Sequence, residues 1–540
     1  MHAPQLREAT QSMTSRATTL AQPAQTRSAA TAQAWWLALI ALTVILLAPL
    51  LIVDVPPLLD YPNHLARAFV LASLPQDPVI ARFYAPHWSI IPNLGLDLIT
   101  PPLIRILPVH VAGRLLIAAA LLLPVAGTIA YNTALGGRWW SLGVGLFAYN
   151  ACLLYGFLNF EIAIGLALLL AAAWLRWRES HPARTIVIAA AGAPILFACH
   201  LMGLIFFALL IGGAELCQLR HAQIWRAIVT RGAILLLIFV VPLALYAVSA
   251  LQQMGGDAEY KPIGEKLLQL VTGFANYNWP LDVMTATLAV AIPALCLLTH
   301  RGRVPGPAAC TSVLLLIAFL AAPYAWKGTA ALDTRFAIML GFMLFAGFVP
   351  IHWSPLFRRV AIAALGFCFL ARMALLTAAW VDRRTDLADL RAVLAPVQPG
   401  QAVYFVRAGL DEAPSYWRAN PHFRKLSDGV RTDEHLGALA LIEHRAYWPF
   451  EFDNPSQQPI ETREPYAALA VRVGSIPTRA IAASANVCGF DYVLLIDADA
   501  VPPLPPDRFQ LMRQSGFATL YTIRHCQKDP DANGLSPRNR

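Results

Sequence analysis

About eleven apolar runs divide this chain, each approaching the roughly 20 residues that a membrane-crossing helix needs. They cover 35–53, 109–135, 140–157, 160–177, 185–200, 202–219, 232–251, 281–299, 309–325, 336–351 and 360–380. A chain so divided is expected to fold as a polytopic α-helical membrane protein. Composition agrees. Of 540 residues, 57% are hydrophobic and only 14% charged, against about 25% charged in soluble domains. The net charge of +9 would suit nucleic acid. The basic residues, however, sit mostly in short loops between the apolar runs, which is the pattern of membrane topology. Nucleic acid is therefore rejected as a partner, and the lipid bilayer is the first one implied.

Those basic loops assign the two sides. Arg7, Arg16 and Arg27 lie in the N-terminal tail, followed by Arg138, then Arg176, Arg178 and Arg184, then Arg220, Arg226 and Arg231, then Arg301 and Arg303, then Arg358 and Arg359. With eleven spans every cluster falls on the N-terminal, cytoplasmic side. Fusing 185–219 into one span would send the later clusters outside, so two spans turning near His200 to Gly203 are expected. The opposite side then collects the loop 54–108, the turn at Asn159 to Glu161, the turn at His200, the loop 252–280, Lys327 to Arg335, and everything after Val381. In a bacterial cell this is an inner-membrane protein with a cytoplasmic N-terminus and a periplasmic C-terminal domain.

Four regions follow. Residues 1–33, rich in Ala, Thr, Gln and Ser, are expected to be a disordered cytoplasmic tail. The run after them is long and ends in Pro and Asp, unlike a cleaved signal peptide. Residues 34–380 form the transmembrane domain. Within its outer loop, 64–75 and 96–107 are too short to span and are expected to lie as helices in the membrane interface. Residues 381–528 are expected to form an extracytoplasmic α/β domain, with strands at 401–407, 491–497 and 517–523 and a helix over 432–445 capped by Thr432 or Asp433. Residues 529–540 are expected to be a disordered tail. Six cysteines lie in or beside apolar runs as small hydrophobes. Cys488 and Cys526 flank strands of the outer domain, where they are either a disulfide or two buried thiols. No zinc spacing appears.

The chemistry concentrates after the first run. In the stretch Val53 to Arg67, two acids, Asp54 and Asp60, and a histidine, His64, stand where a membrane helix surfaces, and Pro56, Pro57 and Pro62 stiffen the loop. Ionisable groups at a membrane face are functional candidates. An ordinary exit loop with Asp60 as a helix cap is the competing reading. Glu161 opens a tight hairpin as either a helix-start acid capped by Asn159 or a substrate contact. His200 is either a turn histidine or a site residue. Asp333, Arg335 and Lys327 cluster at the outer end of a span. The two cations suit a phosphate, and an Asp333–Arg335 surface pair is the alternative. The aromatic end of the 252–280 loop, Phe274 to Trp279, suits either sugar stacking or an interfacial belt. No P-loop, nucleophile elbow or dinucleotide fingerprint occurs.

This arrangement resembles the GT-C glycosyltransferases, membrane enzymes that use polyprenyl-phosphate sugars. The resemblance rests on a first span, a long outer loop carrying an acid soon after it (Leu59-Asp-Tyr-Pro-Asn-His64), later outer loops with cations, and a soluble domain after the last span. Many members carry two adjacent acids where this chain has Asp60-Tyr61. The resemblance implies a polyprenyl-phosphate-linked sugar donor, a glycan, lipid or protein acceptor, and transfer with inversion. Asp60, or Asp54, would be the base, and Arg335 with Lys327 would hold the lipid phosphate. His64, Glu161, His200 and Asp333 would support them, and Asp60 with His64 could carry a divalent metal ion. The competing classes are a transporter or flippase, and a membrane-anchored sensor or assembly protein working through 381–540. The first would need charges near the midplane and repeated halves, and no convincing repeat is seen.

Overall fold

The computed structural model describes residues 32–219, 224–408, 423–499 and 501–524. The N-terminal arginines up to Arg27, Arg220, Cys526 and the expected tails (1–33 except its last two residues, and 529–540) lie outside them. Two units make up the chain, one up to Ala48 and one from Pro49 onward. Among the described residues the first is helical.

The apolar runs are helices: α1 (Ala32–Leu51), α4 (Val109–Ala134), α5 (Leu158–Trp177), α6 (Pro182–Cys199), α7 (Leu201–Cys217), α8 (Ile224–Ala247), α9 (Trp279–Leu298), α10 (Gly306–Ala321), α11 (Leu332–Ala346) and α12 (Pro355–Leu394). Two outer-loop helices, α2 (Tyr61–Ser73) and α3 (Gly95–Ile104), lie between α1 and α4. Among the described residues seven helices are long and apolar enough to cross a membrane. Segments Trp140–Leu154, Leu201–Cys217 and Gly306–Ala321 are apolar but shorter, and α11 has 15 residues. Large apolar side chains such as Trp225, Leu236 and Leu237 stand exposed on α8, as a lipid-facing surface requires. The protein is an integral membrane protein.

Helix α4 lies against α5 at very close range. A Cβ on Gly127 would come within 2.7 Å of the Gly165 carbonyl oxygen, and one on Gly165 within 2.3 Å of Leu123 backbone carbon. Small residues let helix backbones approach where lipid supplies no hydrophobic drive for association. The turn expected near His200 is present. His200 caps α7, its Nδ1 accepting from the Met202 amide at 3.1 Å. At the far end of α7, Glu215 is buried between Arg178 at 3.2 Å and Arg231, with the Trp174 indole donating to it at 3.1 Å. A buried carboxylate persists only when paired in this way.

Several expectations are corrected. The run 140–157 is not one helix. It breaks at Tyr149 and restarts at Ala151 because Asn150 caps the new turn, accepting from the Leu153 amide at 3.1 Å. Helix α2 does not lie against lipid: ten of its thirteen residues are buried. Its Arg67 makes a two-point pair with Asp97 of α3 at 2.7 and 3.2 Å. Asn63 donates to the Phe450 carbonyl at 2.8 Å and accepts from the Trp448 indole at 3.1 Å. Only α3 keeps exposed apolar side chains, Leu98 and Ile99. The loop 252–280 also holds an unforeseen helix, Ile263–Thr272.

The expected boundary at 380/381 falls inside α12, a single helix of 40 residues. At 1.5 Å per residue it is about 60 Å long, about twice the hydrocarbon thickness. Its last turns carry the chain into the outer domain. There α12 packs on a four-stranded sheet built from β2 (Val403–Val406), β4 (Tyr492–Ile496), β5 (Phe509–Ser515) and β6 (Ala518–Ile523), in the order β2-β4-β6-β5. β2 and β4 are parallel and the other pairs antiparallel. The edge strand β5 was not foreseen. A separate short ladder joins β1 (Tyr84–Pro86) of the outer loop to β3 (Ile460–Thr462). The expected helix 432–445 shrinks to α13 (Ala438–His444). Its proposed caps have other work: Thr432 accepts from Arg383 at 2.8 Å, and Asp433 pairs with Arg431 at 2.8 Å. Both sit in a buried ion network in which Arg431 also reaches Asp497 at 2.5 Å and Arg424 reaches Asp386 at 2.8 Å. Cys488 is disulfide-bonded.

Helix α13 is tied to the membrane part through Glu443. Arg391 of α12 bonds Glu443 at 2.7 Å and Asp54 at 2.5 Å, and His110 Nε2 lies 2.9 Å from Glu443. Burial alone would raise the Glu443 carboxyl. Hydrogen bonds with His110 and Arg391 outweigh burial and bring it down to about 2 from 4.5. A lowered folded value means the stabilisation is complete above about pH 4.5 and lost as pH falls toward 2. Glu443→Gln is expected to flatten thermal stability across that acid window, measured as melting temperature against pH. An unchanged acid limb would remove Glu443 from the account.

Candidate active site

Loop 54–60 and the turn after Leu154 are paired through their backbones. Leu59 N donates to Leu154 O at 3.0 Å and Asp60 N to Tyr155 O at 3.0 Å. Gly156, at φ +85°, makes room for this approach: a Cβ there would lie 2.8 Å from Tyr61 N and 2.9 Å from Asp60 N. Pro62 is tolerated in the first turn of α2 because no intrahelical partner is needed there. Asp60 stands at the N-cap of α2, but its carboxylate makes no capping hydrogen bond. It is aimed elsewhere.

It opens into a cavity of about 390 Å³. Asp60, His64, His200, Lys327 and Arg335 all line it. Asp60 Oδ1 lies 3.2 Å from Nδ1 of His435, which comes from the outer domain. The Phe452 ring stands edge-on to both imidazoles, with centroids 5.5 Å from His64 and 5.2 Å from His435. Burial, together with the nearby Arg67 charge, pushes His64 down to about 3, so its imidazole is neutral at ordinary pH. Asn159 does not cap α5. It ties the cavity floor together, accepting from Leu96 N at 2.8 Å and donating to Asn93 Oδ1 at 2.7 Å.

Two cations face the acid's cavity, Lys327 from the α10–α11 connection and Arg335 from the first turn of α11. Arg335 is 6% exposed, lies over the Phe157 ring at 4.6 Å, and donates to the Ala330 carbonyl at 2.6 Å. Lys327 sits on a tight hairpin in which Trp326 and Thr329 exchange backbone bonds of 3.0 Å. Its ammonium donates to the Gln252 carbonyl at 3.3 Å. Gln457 of the outer domain closes this side, donating to the Lys327 carbonyl at 3.5 Å.

Three expected members are placed elsewhere. Asp54 is paired to Arg391 and lines a different cavity. Burial would raise its carboxyl, but the hydrogen bond and charge of Arg391 hold it below the usual value. Glu161 is buried in the first turn of α5 and does not line the site. Asp333 is buried, accepts from its neighbour Thr334 N at 2.8 Å, and forms no pair with Arg335. The aromatic end of loop 252–280 is likewise absent from the cavity: Phe274 and Tyr277 are buried, Phe274 against Phe147 at 4.6 Å. Missed from sequence were His435, Phe452 and Gln457. The one signal was the polar run Asp433-Glu434-His435 inside a segment read as helix. Among the described residues no three His, Cys, Asp or Glu side chains are grouped to hold a metal ion.

A membrane-embedded helical bundle followed by an α/β domain is the GT-C fold. A solved structure with this fold is that of ArnT from Cupriavidus metallidurans bound to undecaprenyl phosphate. It matches with a TM-score of 0.50 over 90% of this chain and 97% of that one, at 10% sequence identity. No protein-family model matches the sequence, and no curated protein matches it.

Gly156→Ala tests the backbone clamp. The left-handed backbone and the contact with Asp60 N together are expected to cost about 1–3 kcal/mol and to loosen the 54–60 loop. Lowered melting temperature and faster amide exchange at 54–60 are the readouts. Exchange equal to the parent would show that Gly156 does not hold Asp60.

Proposed function

We propose that this protein is a membrane glycosyltransferase that moves a sugar from a polyprenyl-phosphate-linked donor to an extracytoplasmic acceptor, with inversion. The observation that carries this reading is one cavity holding an uncapped carboxylate, Asp60, together with two cations, Arg335 and Lys327, in a GT-C fold. The neighbour with this fold was crystallised with undecaprenyl phosphate, which supports a lipid of that class as the donor's carrier.

In this reading the acceptor hydroxyl attacks the anomeric carbon from the face opposite the phosphate, and the bond to the phosphate oxygen breaks. Asp60 takes the hydroxyl proton. Arg335 and Lys327 offset the charge gathering on the departing lipid phosphate, Arg335 through its two-pronged guanidinium. His435, set edge-on against the Phe452 ring, holds the Asp60 carboxylate in place from the outer-domain side. The acceptor is a glycan, lipid or protein of the cell envelope. The basic loops, with Arg178 and Arg231 at the end of the bundle away from the site, support a cytoplasmic N-terminus and a periplasmic site in a bacterial inner membrane.

Asp60→Asn is expected to lower kcat for sugar transfer in membranes by about 10²–10⁴-fold, while Asp54→Asn stays within a few-fold of the parent. Transfer retained by Asp60→Asn and lost by Asp54→Asn would reverse the assignment. Arg335→Gln is expected to lower kcat by about 10²–10³-fold without abolishing binding of an acceptor. A normal rate would remove Arg335 from the phosphate.

A further inference from the structure

A second cavity, of about 430 Å³, opens where α12 leaves the membrane part. Its walls come from the end of α1 with the loop to Asp54, from the start of α4, and from α12. It shares no lining residue with the Asp60 cavity. Three guanidinium groups line it, Arg114, Arg384 and Arg391, against a single acid, Asp54. That acid is already taken, with Arg391 held between Asp54 and Glu443. Arg114 donates only to the Leu50 carbonyl, at 3.4 Å, and Arg384 is exposed. Among the described residues neither has a carboxylate partner. Two cations are thus left over at a cavity mouth, with the fork geometry that matches phosphate oxygens.

The surroundings say what kind of phosphate. Leu51 lines the cavity and is 82% exposed, Leu115 follows Arg114, and Val381 lies one helical turn before Arg384. The latter two are also about half exposed. Exposed apolar side chains at the ends of membrane helices, directly beside unpaired arginines, fit a ligand with a phosphate head and a hydrocarbon body. We infer that this second cavity is a headgroup site for an anionic phospholipid, its phosphate held between Arg114 and Arg384. Such a lipid would brace the joint at which Arg391 ties the first outer loop to the outer domain. The inference does not depend on sugar transfer.

The test uses full-length protein in detergent, probed with phosphatidylglycerol, phosphatidylcholine and inorganic phosphate, with bound lipid read by native mass spectrometry. The parent is expected to retain phosphatidylglycerol over phosphatidylcholine. Arg114→Gln/Arg384→Gln is expected to weaken phosphatidylglycerol by about tenfold or more and leave phosphatidylcholine unchanged. Because Arg384 is exposed, Arg384→Gln alone keeps the fold and should show part of the loss. Equal phosphatidylglycerol binding by parent and double variant would overturn the site. Displacement of the lipid by inorganic phosphate would overturn the lipid as its occupant. Transfer activity, whether present or absent, bears on Asp60 alone.

Discussion

Two backbone hydrogen bonds organise the candidate site. Leu59 and Asp60 donate to the carbonyls of Leu154 and Tyr155, and the absence of a side chain at Gly156 is what lets the strands meet. A loop that leaves a membrane helix through two prolines has no helical partner for its own amides. Here it finds partners in the carbonyls of Leu154 and Tyr155, which are free because the short helix Ala151–Leu154 ends there and Gly156 turns the chain away at φ +85°. The break in one element thus supplies the bonds that the other lacks. Asp60 is fixed by its main chain, and its carboxylate is left for other use.

The outer domain belongs to the site as much as the membrane helices do. Tyr155, one residue before Gly156, bonds through its hydroxyl to Asp428. His435 and Phe452 face Asp60 and His64, and Gln457 reaches the Lys327 hairpin. The domain is held in register by α12, which passes from the bundle to the sheet without interruption. It is also held by the buried network of Arg424 and Arg431 with Asp386, Asp433 and Asp497. Buried charges of both signs are tolerable there only because each carboxylate has an arginine in contact and each of these arginines a carboxylate. The β1–β3 ladder and the Asn63 bonds to the Trp448–Phe450 segment close the outer loop beneath the domain.

Charge also separates the two acids of the first outer loop. Six residues apart in sequence, Asp54 and Asp60 serve different cavities. Asp54 meets Arg391 and is spent on holding the joint between bundle and domain. Asp60 meets an imidazole and two cations across open space. The same carboxylate chemistry is structural in one place and available in the other, because only one of them has an arginine in contact.

Membrane class, the approximate positions of the spans, the turn at His200 and the clustering of Asp60, His64, His200, Lys327 and Arg335 on one side were all legible in the sequence. The reason is that hydrocarbon imposes a length and a polarity on each span, and the loops inherit their side by counting. Counting could not tell which of those residues face one another. The tertiary structure removed Asp54, Glu161 and Asp333 from the cavity, brought Phe452 and Gln457 into its lining and set His435 against Asp60. Those contacts join residues more than a hundred positions apart, and no local periodicity encodes them. The helix expected over 432–445 shortened because Thr432 and Asp433 were claimed by Arg383 and Arg431, so capping lost to a buried ion network. Hydrophobic patterning therefore determined the bundle, while the site was decided by long-range packing of the outer domain onto the loop that ends at Asp60.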